Sequence, residues 1–272
     1  MERGAPVPIL AIQAIRKMRG GTQSQLMLGD DSNLWVVKFQ NNPQHPRVLV
    51  NEWISTQLAQ AIGLSVPQID VVEVPLFLIE HTENMVFELG QGKRGLYSPG
   101  LHFGSRFAGG LFPGQVVDVL PESQLAEVRN LEEFAGVLCL DKWLANSDGR
   151  QSVFIRKARE RRYRAVFIDH GLCFNGGEWG FDCPPLGGIY GRKSVYAKVT
   201  GWESFEPWLS NIETIRSSTV WDIAQKVPLE WYDGDKFAIE RLVEQLLHRR
   251  SRVRDLIVSF RDSDRIPFPL WV

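Results

Sequence analysis

Two stretches decide how this chain is read: Asp141-Lys142-Trp143-Leu144-Ala145-Asn146-Ser147-Asp148-Gly149-Arg150-Gln151, and Tyr163-Arg164-Ala165-Val166-Phe167-Ile168-Asp169-His170-Gly171. The first closes an apolar helical run, Leu131–Asn146, whose apolar residues include Phe134, Val137, Leu138 and Leu144. It breaks into Asn146-Ser147-Asp148-Gly149, a good turn because Asn, Asp and Ser side chains hydrogen-bond their own backbone. The second is an apolar strand that ends in a carboxylate followed by glycine. Between them, Ser152–Arg156 and Tyr163–Ile168 read as a hairpin with a basic tip. That topology returns both aspartate loops to one end of the hairpin. One aspartate can then orient a hydroxyl nucleophile while the other holds Mg²⁺. Asp148 alone is equally what an ordinary turn contains, and His170 reads as a turn residue rather than a metal ligand.

Working outward toward the N-terminus, Leu34-Trp35-Val36-Val37-Lys38-Phe39 alternates as a strand. Leu34, Val36 and Lys38 share one face, and Trp35, Val37 and Phe39 the other. Both faces are apolar except at Lys38, which must snorkel to water or be held against an anion such as phosphate. The next helix, Arg47–Ile62 with Gly63 at its C-cap, carries Glu52 on a face with Ser55, Thr56 and Ala59, roughly opposite Ile54, Leu58 and Ala61. That face is either solvated or turned to a cleft where Glu52 pairs with Lys38. Gly20-Gly21-Thr22-Gln23-Ser24 lies between strands Ile9–Ile15 and Gln25–Leu28. Its glycines let backbone N–H groups approach a phosphate closely, although an ordinary hairpin explains them too. Val66–Val74 and Phe77–Ile79 read as two more strands, giving a β-β-α-β-β outline and one antiparallel sheet. Gly turn, strand Lys, helix Glu, loop Asp and strand-end Asp follow one another as in a protein-kinase-type phosphotransferase, where catalysis is positioning plus charge neutralisation.

Composition bounds this reading. The chain has 272 residues, with 31 Lys+Arg against 32 Asp+Glu and a net charge of -1. It is 44% hydrophobic and 23% charged, values near the globular average that argue against disorder. A near-zero charge argues against nucleic acid, which needs a concentrated basic face. Cys139, Cys173 and Cys183 show no metal or redox spacing; Cys139 and Cys173 sit in apolar runs as core residues. No apolar run is long enough for a signal peptide or a membrane span, so the expectation is a soluble cytoplasmic protein without membrane contact. Residues 90–115, rich in Gly and Pro, mark a boundary or hinge. Beyond it the chain becomes more helical, with one long helix expected over Asp235–Phe260. The tip Arg156–Arg164 reads as a solvated hairpin or as a docking patch for an acidic partner. His248–Arg254 reads as a solvated basic face, and Trp202, Trp208, Trp221 and Trp231 as core.

At these residues the chain resembles the HipA-like kinases. The resemblance rests on Gly20-Gly21, Val36-Val37-Lys38-Phe39, Asn51-Glu52, Leu101-His102-Phe103-Gly104, Asp141-Lys142-Trp143 through Asp148, Ile168-Asp169-His170-Gly171 and Val227–Tyr232. It implies an α+β, two-lobed protein-kinase-like fold, with a small β-rich N-lobe over 1–100 and a larger helical C-lobe over 101–272. It implies ATP and Mg²⁺ as cofactors and phosphoryl transfer to a Ser or Thr hydroxyl of a protein substrate. Carried over, Asp148 is the catalytic base and Asp169 the Mg²⁺ ligand. Gly20, Gly21, Thr22, Gln23, Lys38 and Glu52 surround the nucleotide, and His102 and Phe103 lie in a hinge offering backbone hydrogen bonds to adenine. The family's second metal-binding Asn falls on Val153, which cannot coordinate; Gln151 or Ser152 lies nearby, and Gln151 is taken as the substitute. Val153 leaves open the alternative of a nucleotide-binding pseudokinase acting as a regulatory or interaction module. An antitoxin-type partner is compatible with the resemblance.

Overall fold

A computed structural model describes residues 7–83, 85–109, 114–182, 186–263 and 266–271. Cys183, the opening residues Met1–Pro6 and part of the Gly- and Pro-rich stretch lie outside the described residues. Alternating apolar residues build β1 (Ile9–Lys17), β2 (Gln25–Gly29) and β3 (Leu34–Lys38). They are followed by α1 (Val48–Ala61), β4 (Ile69–Val74), α2 (Leu76–Glu80), a hairpin of β5 (Val86–Gly90) and β6 (Lys93–Leu96), and β7 (Gly100–Arg106). β1, β2, β3, β7 and β4 close into a barrel in that order. β3 lies between β2 and β7, with Val36 opposite both Leu26 and Ser105.

Two expectations change here. The strands do not form one antiparallel sheet: β1 and β4 pair in parallel, Ile9 with Val72 and Leu10 with Glu73, and this pairing closes the ring. Phe77–Ile79 is not a strand but the middle of α2, entered from the extended Pro75 (φ -74, ψ 149). An apolar run this short has no usable period. Its burial shows one helical face, with Leu78 and Ile79 inside and Phe77 69% exposed.

The alternation on β3 holds as read. Trp35, Val37 and Phe39 enter the barrel core with Met27, Val72 and Val74, while Val36 and Lys38 face a cleft. α1 is no solvated helix: Ser55, Thr56 and Ala59 are buried beside Glu52, and its exposed ridge is Gln60 and Ala61. Gly63 (φ +91) follows it as the sequence suggested.

The remaining chain forms β8 (Val116–Val117), α3 (Glu122–Leu125), α4 (Glu133–Trp143), β9 (Gln151–Ile155), β10 (Arg164–Ile168), α5 (Trp208–Thr214), α6 (Ser217–Ala224), α7 (Lys236–Arg249) and α8 (Val253–Arg261). The long helix expected over 235–260 is therefore two, separated by a 3₁₀ turn at Arg250–Arg252. Arg250 donates to the Ile215 carbonyl there, and Arg249 to the Lys142 and Phe181 carbonyls, so these two tether their neighbours, while His248 and Arg252 face water as expected. Five cations of the hairpin tip, Lys157, Arg159, Arg161, Arg162 and Arg164, are solvent-exposed.

One large apolar core runs from α1 through α4, β9 and β10 to α8, and contains Cys139, Cys173, Trp208 and Trp231, with Trp202 and Trp221 packed against it. Three side-chain bonds stitch α1 and β7 to the helices: Trp53 Nε1 to the Ile223 carbonyl (3.3 Å), Asn211 Nδ2 to the Ile62 carbonyl (3.1 Å) and Trp231 Nε1 to the Leu101 carbonyl (2.8 Å). Among the described residues no helix is long and apolar enough to cross a membrane.

His102 is fully buried in the barrel core against Phe39. Its Nε2–H donates to the Ser98 carbonyl at 2.9 Å and its Nδ1 accepts from the Gln40 N–H at 3.3 Å, a pattern only the neutral ring satisfies. Burial lowers its pKa to about 4, with the Ser98 bond opposing. A basic group depressed in the folded state stabilises fully above its unfolded pKa and loses that contribution as pH falls below it. Between pH 7 and 5, His102 is therefore expected to cost ~2 kcal/mol of stability. Urea midpoints at both pH values check this: His102→Gln should reduce the dependence by that amount, burial of His170 supplying a fall of the same sign, and an unchanged slope would refute the assignment.

Candidate active site

The cleft has a volume of about 230 Å³ and is lined from both parts of the chain. The β1–β2 turn supplies Arg19, Gly20, Gly21 and Thr22, β3 supplies Val36 and Lys38, and α1 supplies Glu52 and Thr56. Ser105 to Ala108 line it where β7 ends, and Asp148, Gln151, Val153, Ile168, Asp169 and His170 line the other wall. Gly20 holds φ +127, a conformation that L side chains rarely adopt, so this turn needs its glycine.

Lys38 is 8% exposed. Its Nζ donates to Glu52 Oε1 at 2.5 Å and to Asp169 Oδ1 at 2.8 Å. Burial works against the ammonium charge, but Asp169 and Glu52 outweigh it and its pKa is raised. Glu52, 2% exposed, is pushed up by burial, with Lys38 opposing and Asp169 reinforcing. Asp169 is different: Lys38 beside it, against a smaller burial effect, holds its carboxyl at about 2. Asp169 is thus firmly ionised, with a side chain still 35% exposed. Its backbone is left-handed (φ 62), a conformation a non-glycine residue holds only when its surroundings impose it.

Asp148 is exposed at the cleft, in a turn fixed by its neighbours. Its N–H donates to Asn146 Oδ1 (3.1 Å), the Gly149 N–H donates to its Oδ1 (2.7 Å), and its carbonyl accepts from the Gly188 N–H (2.9 Å). The β9–β10 register pairs Gln151 with Ile168, which sets Gln151 beside the Asp169 loop. Gln151 and Val153 both line the cleft, whereas Ser152, between them, is buried on the opposite face.

A buried pair missed in the sequence reading links the two aspartate loops. Arg150 Nε donates to Asp141 Oδ2 at 2.8 Å and its Nη2 to Asp141 Oδ1, with both side chains fully buried. Arg150 Nη1 reaches on to the Ile168 carbonyl at 2.8 Å. Burial disfavours the guanidinium, but Asp141 outweighs it and its pKa is raised. The signal was available: Asp141 ends the apolar run Val137–Leu140, as Lys38 interrupts an apolar strand.

Two expected residues are not brought to the cleft. Gln23 turns away, its side chain bonded to the backbone of Glu88. His102 points into the barrel core, as described above. Leu101–Gly104 does not form an open hinge. It lies in β7, paired with β4 throughout and with β3 from Phe103 on, while the Leu101 carbonyl accepts from Trp231 Nε1 and Gln40 Nε2. Phe103 lines the cleft, and the segment reaching past it is Ser105–Ala108.

Among the described residues, no three His, Cys, Asp or Glu side chains gather into a self-sufficient metal site. That donor set still suits Mg²⁺, which is ordinarily held by one or two carboxylates plus substrate phosphates. Asp169, held ionised at the cleft, fits such a role.

Comparisons with known proteins bear on the family and the fold. The family model described as HipA-like kinase matches residues 11–179, more than half of the chain. A solved structure of the proinflammatory kinase CtkA of Helicobacter pylori aligns over 94% of this chain and 100% of its own, with TM-score 0.55 and 13% identity. A Golgi casein kinase structure aligns over 94% and 74%, with TM-score 0.54 and 12% identity; another of that kinase, with Mn/ADP bound, has TM-score 0.54 and 13% identity over 95% and 74%. At such identities the likeness is one of fold, a kinase-like fold of mixed sheets and helices. No curated protein matches the sequence.

Asp141→Ala leaves the Arg150 guanidinium buried without its carboxylate and is expected to destabilise the fold by about 3–5 kcal/mol. Denaturant unfolding measures this; a cost under ~1 kcal/mol would mean the pair does not tie the two loops together.

Proposed function

Since the chain belongs to the HipA-like kinase family, we propose that it is an ATP- and Mg²⁺-dependent phosphotransferase acting on a Ser or Thr hydroxyl of a protein. The observation that carries this reading is the convergence of Lys38, Glu52 and Asp169 at a cleft that also exposes Asp148. The Mn/ADP-bound structure of the same fold supports a nucleotide and a divalent ion as its cofactors. In this reading the barrel with α1 is one lobe and the helical part the other. The division then falls after Arg106, because a boundary at 100/101 would cut β7 from its partners.

Backbone groups of Gly20, Gly21 and Thr22 cradle the phosphates. Lys38, held by Glu52, meets the α/β-phosphates, and Ser105–Ala108 border the adenine. Bound Mg²⁺ would neutralise phosphate charge at Asp169, with the Gln151 amide as a second oxygen donor. Asp148 accepts the proton of the substrate hydroxyl, whose oxygen attacks the γ-phosphorus as the bond to ADP breaks. The two aspartates divide these roles by environment: Asp148 is open to a substrate, Asp169 is locked in its charged form.

The second reading, a nucleotide-binding pseudokinase, is favoured by one observation, Val153 in the cleft where the family has its metal-binding Asn. A radiolabelled-ATP assay with Mg²⁺ separates the two. Wild type is expected to transfer label, and Lys38→Ala, Asp148→Ala and Asp169→Ala are each expected to lose about 10²-fold or more. Absence of transfer alongside an ATP-dependent rise in melting temperature would leave the pseudokinase. Gln151→Ala is expected to raise the Mg²⁺ needed for half-maximal transfer; an unchanged requirement would remove Gln151 from the metal site.

A further inference from the structure

Asn51 precedes Glu52 on α1, is fully buried, and is not used by the chemistry above. Its Nδ2 donates to three backbone carbonyls of the segment after Asp169: Gly171 at 2.8 Å, Cys173 at 3.0 Å and Gly176 at 2.9 Å. Its Oδ1 accepts from Trp179 Nε1 at 2.9 Å, which fixes the amide's orientation. Trp179 is itself capped by the Arg47 guanidinium, 4.4 Å from the ring centre.

The clamped segment has no ladder to satisfy it. Phe174, Asn175 and Gly176 hold φ 58, 57 and 68, a non-helical kink within the 3₁₀ turns of Cys173–Glu178. Its carbonyls must find donors elsewhere, and the two N–H groups of one amide reach three of them, one N–H being shared. On its other side the segment joins the loop that carries Asp148. The Phe174 N–H donates to the Leu144 carbonyl (2.7 Å), the Asn175 N–H to that of Ala145 (3.2 Å), and the Ser147 N–H to that of Leu172 (3.1 Å). Gly171 completes the approach, since a Cβ there would lie 2.7 Å from Val48 Cγ1.

We infer that Asn51 is a positioning residue that locks the Asp169 loop to α1, and thereby sets Asp169 and Asp148 in register with Lys38 and Glu52. This rests on the kinase reading. One residue thus couples the helix that grips the lysine to the loop that offers the metal-binding carboxylate. Removing the amide leaves Glu52 in place but frees the chain on which Asp169 is mounted.

The test compares the full chain with its Asn51→Ala and Trp179→Phe variants. Hydrogen exchange across 171–179, without ligand, reads the clamp itself. Titration of MgCl₂ in the phosphoryl-transfer assay, and of MgCl₂ with ADP in a melting assay, reads its consequence. Asn51→Ala is expected to speed exchange in that segment and to raise half-saturating Mg²⁺ by about 10-fold or more. Trp179→Phe should move both the same way by less, and decides the matter if Asn51→Ala does not fold. A lowered melting temperature or active fraction with wild-type Mg²⁺ half-saturation would make Asn51 merely structural and overturn the inference, as would unchanged exchange at 171–179. If wild type transfers no phosphate, the kinase reading fails, while exchange and the Mg²⁺-dependent ADP shift still judge Asn51.

Discussion

A lysine buried on one face of an apolar strand constrains this molecule more than any other residue. An ammonium removed from water costs several kcal/mol unless anions replace the solvent. Lys38 has two, drawn from elements far apart in sequence. To deliver Glu52, α1 must turn its small side chains, Ser55 and Thr56, inward and give up a solvated face. To deliver Asp169, β10 must end at the cleft and the chain must enter a left-handed conformation at once. The packing of barrel, helix and hairpin follows from satisfying one charge.

The Arg150–Asp141 pair repeats this logic one layer deeper. Both groups are sealed from water, and the guanidinium spends a further donor on the carbonyl just before Asp169. The two aspartate loops are thus fastened from below by Arg150 and from the side by Asn51. Between these fixed points Asp148 remains exposed. Rigid support beneath an open carboxylate is the arrangement that chemistry by positioning requires.

Much of this was legible in the sequence, for local reasons. The alternation around Lys38 announced which face it would occupy, and a charge in an apolar run is conspicuous. Glycines after Asp148 and Asp169 marked both loops. What could not be read was whatever depends on partners distant in the chain. The parallel β1–β4 pairing leaves no local trace, because its residues look like those of any strand. For the same reason Leu101–Gly104 passed for an open hinge: only its two neighbours, β3 and β4, reveal that its backbone is spoken for. α2 was lost because five residues carry too little periodicity. Asn51 was quoted as part of a motif but given no role, since its partners are backbone carbonyls more than a hundred positions away.

That distance also imposes an order of assembly. A chain made from its N-terminus can finish β7 and close the barrel while the second aspartate loop is still unmade. Lys38 and Asp169 stand 131 positions apart, so for a time the barrel's buried lysine has only one of its two carboxylates, Glu52. Until the second half of the chain arrives, that face lacks the wall that carries Asp169, and α1 lacks the later helices that pack over it. The arrival of the second aspartate loop thus both completes the candidate site and closes the large apolar core.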